Sequence, residues 1–72
     1  MKKLFIEDMK GYMDTYRYVK RVRMGKDKLN NKHYLTIEFD NGDENIIIPM
    51  TEVRECFLVN LDTDEEYFRY MK

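Results

Sequence analysis

The chain has 72 residues, 43% apolar and 38% charged, with a formal net charge of -1, one cysteine and one proline. That length holds one domain, residues 1–72, and a thin core, because a chain this short buries only about 60% of the surface its unfolded form exposes. Cys56 alone excludes an internal disulfide framework, Leu4-Phe5-Ile6 meets Glu7 too soon for a signal-peptide core, and no apolar run has transmembrane length, so the expected setting is cytoplasmic, with no membrane partner.

The charge is segregated. Residues 16–37 carry Arg17, Lys20, Arg21, Arg23, Lys26, Lys28 and Lys32 against Asp27, whereas residues 38–66 carry ten carboxylates against Arg54. Two readings follow: the segments neutralise one another across a sheet, or they form a basic and an acidic face with different partners.

In chain order, the N-terminus admits a strand, Lys3 to Glu7, turning around Lys10-Gly11. It also admits a helix striped by Leu4, Phe5, Met9, Tyr12, Met13 and Tyr16. Gly11 inside such a helix, and Lys2 and Lys3 at its start, favour the strand. Thr15 to Met24 alternates as one strand, with Tyr16, Tyr18, Val22, Met24 and Lys20 on one side and Arg17, Arg21, Arg23 and Val19 on the other. Gly25 to Lys32 reads as a polar loop. Leu35 to Ile48 reads as a hairpin about Asn41-Gly42, a type I′ signal that pairs Phe39 with Glu44, Ile37 with Ile46 and Leu35 with Ile48. Pro49 ends that strand, Thr51 is a candidate cap for a short turn Glu52-Val53-Arg54, and Glu55 to Leu61 is a further strand. Thr63 and Glu66 have capping-box spacing, with Arg69 and Lys72 at the far end, which predicts a short C-terminal helix.

The expected fold is therefore mainly β (α+β): a small antiparallel meander or SH3-like partly open barrel of about four or five short strands with a short C-terminal helix. The alternative is an N-terminal helix on an antiparallel sheet of three or four strands.

Catalysis has little to draw on. The chain has no serine, and Cys56 and His33 are the sole candidates for a cysteine–histidine pair. Cys56 lies in an apolar strand, where a free cysteine is usually a small hydrophobe. One histidine and one cysteine fall short of a zinc site, Asp40 to Glu44 lacks EF-hand spacing, and the three glycines form no phosphate-cradling motif, so no catalytic residue, metal or cofactor is assigned.

Two constellations suggest binding. Arg17, Arg21 and Arg23, followed by Lys26, Lys28 and Lys32 and interleaved with Tyr16 and Tyr18, are candidates for phosphate or nucleic-acid contact. Asp64, Glu65 and Glu66 beside Tyr67, Phe68 and Tyr70 are candidates for a protein contact, with carboxylates imitating a phosphate backbone and aromatics as anchors. The strand, Asn-Gly, strand and Ile48-Pro49 succession in a short Lys/Asn/Ile/Tyr/Glu-rich chain is similar in style to uncharacterised small proteins of bacteriophages and mobile elements. That resemblance implies an inhibitor of host machinery or defence. The lead expectation is a non-enzymatic binding module acting on a protein partner. A nucleic-acid or nucleotide binder using residues 16–32 is the runner-up, and a self-associating accessory protein, a homo-oligomer, is the third reading.

Overall fold

The computed structural model describes all 72 residues and contains seven strands, one 3₁₀ turn and no α-helix. Strands β1 (Lys2–Asp8), β2 (Met13–Arg17), β6 (Val53–Asn60) and β7 (Glu66–Met71) form one antiparallel sheet in the order β2-β1-β6-β7. Strands β3 (Val19–Lys26), β4 (His33–Phe39) and β5 (Ile46–Pro49) form a second, in the order β3-β4-β5. The two open sheets share a core: Leu4, Ile6, Val53, Cys56 and Leu58 from the first meet Val19, Leu35 and Ile37 from the second, with Met50 of the 3₁₀ turn Met50–Glu52 at the margin. No helix is long and apolar enough to cross a membrane.

The N-terminal strand is present and the alternative N-terminal helix is not. Asp8 ends it: its Oδ1 accepts the N–H groups of Lys10 and Tyr12, both at 2.9 Å, and Gly11 sits at φ +93°, where a side chain would be strained. Leu4 and Ile6 point inward and Phe5 outward; the central partner, β6, repeats that arrangement with Leu58, Cys56 and Phe57 directly opposite.

The expected strand Thr15 to Met24 is two strands in different sheets. Tyr18 breaks it in the left-handed region, at φ +60°, and the chain leaves the first sheet for the second. The register then slips between Val19 and Arg21, so Lys20 occupies a bulge. Val19 is consequently fully buried, and Arg17 does not share a surface with Arg21 and Arg23.

The β4–β5 register is the one the sequence predicts: Leu35 opposes Ile48, Thr36 opposes Ile47 and Ile37 opposes Ile46. The tight two-residue turn is absent, and Phe39 and Glu38 do not pair with Glu44 and Asn45. Instead β3 captures the end of β4: Phe39 opposes Val19, and the Asp40 N–H donates to the Tyr18 carbonyl at 2.9 Å. The loop therefore widens, with Gly42 alone at positive φ and the Asn41 side chain accepting the Asp43 N–H at 3.1 Å. The short turn after β5 begins two residues earlier than expected, at Met50, with Pro49 rather than Thr51 in the cap position.

The expected C-terminal helix is a strand, and the sheets are not a closed barrel. Thr63 Oγ1 accepts the Glu65 N–H at 3.4 Å, in a turn where Asp64 is left-handed and the Asn60 and Glu65 backbones meet at 2.8 Å. Six residues of helix are marginal in water, whereas pairing with β6 satisfies the same backbone groups and suits an aromatic-rich segment. Phe68 opposes Leu58 and Tyr70 opposes Cys56, both covering the core, while Arg69 and Met71 face out.

On the outer face of the three-stranded sheet, Glu38 accepts from Arg21 Nε at 2.5 Å and Nη2 at 3.2 Å, and lies 2.9 Å from Arg23 Nε. The Arg21 hydrogen bond holds the Glu38 carboxyl below the usual glutamate range, partial desolvation opposes this, and the charges of Arg21, Arg23 and Lys20 add to the lowering. A depressed carboxylate stabilises the fold above its unfolded pKa, and that contribution is lost as pH falls through the folded value. The stability difference between wild type and Glu38→Gln in urea is therefore expected at neutral pH and to shrink below about pH 4. A difference independent of pH rejects the assignment.

Candidate functional site

The outer face of the four-stranded sheet is set by register into three rows. Arg17, Lys3, Val59 and Glu66 form the first, Thr15, Phe5, Phe57 and Arg69 the second, and Met13, Glu7, Glu55 and Met71 the third. At its centre Phe5 and Phe57 stack with ring centroids 5.0 Å apart and planes 18° apart. Lys3 Nζ lies 5.1 Å from the Phe5 centroid and the Arg69 guanidinium 5.2 Å from that of Phe57. Arg69 also bridges Glu55, at 3.3 Å, and Glu66. The face has an apolar middle and a rim charged in both signs.

This surface gathers Arg17 from the basic candidates and Glu66 from the acidic ones. Asp64 and Glu65 lie exposed in the turn before β7. Tyr67 is half-exposed on a bulge, with Lys2 Nζ 4.6 Å from its ring centroid, whereas Phe68 and Tyr70 point the other way, into the core. Arg21 and Arg23 occupy the other sheet, held by Glu38. Lys26, Lys28 and Lys32 flank or occupy the β3–β4 loop, and no Nζ among them has an ion-pair or hydrogen-bond partner.

Cys56 is fully buried under β7, and burial pushes its thiol up to about 11, so the thiolate form is scarce at neutral pH. His33 begins β4 opposite Lys26, in the other sheet.

Sequence reasoning missed Phe5 and Phe57 as surface residues. Each is the middle of an apolar triplet, Leu4-Phe5-Ile6 and Cys56-Phe57-Leu58, and in a strand the middle of three consecutive residues must face away from its neighbours. These triplets, like Ile46-Ile47-Ile48 with its outward Ile47, were the available signal.

Comparison with known proteins finds no matching family model, no matching curated protein and no matching solved structure.

Proposed function

We propose that this chain is a non-enzymatic binding protein that acts by protein–protein contact through the outer face of its four-stranded sheet. The supporting observation is the stacked Phe5–Phe57 pair standing on the solvent side of the two central strands. An aromatic centre inside a charged rim is the anatomy of a protein interface. Glu7, Glu55 and Glu66 on the same face oppose a phosphate backbone, which favours a protein over a nucleic acid there. The partner that fits presents an apolar strip flanked by charges of both signs. The resemblance to small phage and mobile-element proteins supports a partner in host machinery or defence, with inhibition as the outcome.

Phe5→Thr with Phe57→Thr tests the reading. Threonine keeps strand propensity, and an outward aromatic pair is worth about 0.5–1.5 kcal/mol beyond its area, less than a domain's whole stability. The double variant is expected to keep the wild-type far-ultraviolet circular dichroism and to lose every partner that wild type retains after cross-linking and quantitative recovery. Full retention of those partners overturns the reading. A wild-type solution mass above 8.9 kDa that falls to monomer in the double variant identifies the partner as a second copy.

A further inference from the structure

A cleft separate from that face lies between the two sheets at one end. Between the β3–β4 loop, the 3₁₀ turn and the end of β7 is an open cleft of about 710 Å³, within the size range of small-molecule sites. Lys26, Lys32, His33 and Lys72 line it, and no aspartate or glutamate side chain does. The contrast within the molecule is direct: the cleft of about 390 Å³ by β1 and β2 is lined by Asp8, Asp14 and Glu52 against Lys10.

The basic groups are free and their mounting is fixed. Arg21 and Arg23 share Glu38, and Arg69 pairs with Glu55 and Glu66, but Lys26, Lys32 and Lys72 have no acidic side-chain partner. The carboxylate nearest in sequence, Asp27, accepts the Leu29 N–H at 2.8 Å on Oδ1 and makes no ion pair with these lysines. The loop is closed by Asp27 N–H to the Lys32 carbonyl and Asn31 N–H to the Asp27 carbonyl, both 2.8 Å, and by Lys32 N–H to Asn30 Oδ1 at 2.9 Å, with Asn31 left-handed. Lys26 and His33 are directly opposed across the ladder. Lys26, Lys32 and His33 are thus mounted on a braced hairpin end rather than on a loose tail. The other walls are Met50, Pro49 and Tyr70, an apolar and aromatic surface beside the cations, with Thr51 at their edge.

We propose that this cleft binds a nucleotide, with the phosphates held by Lys26, Lys32 and His33 and the base lodged against Met50 and Tyr70. Cations supply charge-assisted hydrogen bonds to phosphate oxygens, and an apolar and aromatic wall beside them shelters a base. The site is independent of the Phe5–Phe57 surface.

The test is titration of the ¹⁵N-labelled full chain with ATP, with pyrophosphate, and with a single-stranded oligonucleotide, at about 50 mM and about 300 mM salt. ATP is expected to move the amide signals of Lys26, Lys32, His33, Thr51 and Tyr70, more weakly at the higher salt, and to bind more tightly than pyrophosphate. Lys26→Glu with Lys32→Glu, both exposed, is expected to weaken ATP by roughly tenfold or more with an otherwise native spectrum. Lys10→Glu with Lys20→Glu makes the same charge change elsewhere and is expected to leave ATP affinity within about twofold. Absence of shifts at the cleft, equal ATP affinity in the two double variants, pyrophosphate binding as tightly as ATP, or binding of the oligonucleotide alone each overturns the assignment.

Discussion

Leu35→Ala is expected to leave this chain largely unfolded at 37 °C. Only nine residues are buried, and Leu35 is among those with no exposed surface. It lies at the middle of β4, the central strand of its sheet, with Met24 opposite on one side and Ile48 on the other, so neither neighbouring strand can collapse into the space without breaking its ladder. A buried Leu→Ala change costs about 2–5 kcal/mol. A domain this small starts near the bottom of the ordinary range of about 5–15 kcal/mol, so the loss is comparable with the total. Ile47→Ala is the matched control. Ile47 lies beside Thr36 on the outward face of β5, is 63% exposed, and its loss is expected to move stability by no more than about 0.5 kcal/mol. Urea unfolding followed by tyrosine fluorescence, in a chain without tryptophan, separates the two. Equal shifts in both variants would place the core elsewhere.

The contrast between these two isoleucine- and leucine-bearing strands also shows what was legible in the sequence. Alternation fixes which residues of Leu35-Thr36-Ile37 face inward, and the run Ile46-Ile47-Ile48 can meet it in only one face-matched register, which the structure has. The turn between them was not legible, because its form depends on β3 holding Tyr18 against Asp40, a contact about twenty residues away in the chain. The break at Tyr18 was hidden for a related reason. Tyr16 through Met24 has an unbroken strand-like composition, and nothing local requires a tyrosine at positive φ; only the switch between sheets does.

The candidate site was legible in its residue types and not in its grouping. Arg17, Arg21 and Arg23 look contiguous as text, yet one stands on the four-stranded sheet and two on the other, already matched to Glu38. Lys26 and Lys32 were visible as a basic loop, but their opposition to the end of β7 required the tertiary fold. Charge segregation along the chain is therefore resolved in part by cross-strand pairing and in part by separation into differently charged clefts.

Phe68→Ala and Tyr67→Ala, adjacent in sequence, are expected to have opposite consequences. Were residues 66–71 a helix laid on a partner, removing Tyr67, Phe68 and Tyr70 together would spare the fold. In a strand the three divide. Phe68 covers Leu58 and Tyr70 covers Cys56, so each is part of what keeps water from the core. A fully buried Phe→Ala change costs about 3–5 kcal/mol; Phe68 is only partly buried, so about 2–3 kcal/mol is the expected loss, seen as a large drop in thermal midpoint. Tyr67 sits on the bulge, 47% exposed, touching Lys2 and, at 3.5 Å, Asn60. Its removal is expected to change stability by less than about 1 kcal/mol. Thermal melts decide the division: equal losses in the two variants reject the strand geometry of β7. If it holds, the triple variant unfolds and says nothing about binding, whereas Tyr67→Ala isolates the contribution of this edge to partner recovery, because it alone of the three aromatics can leave without opening the core.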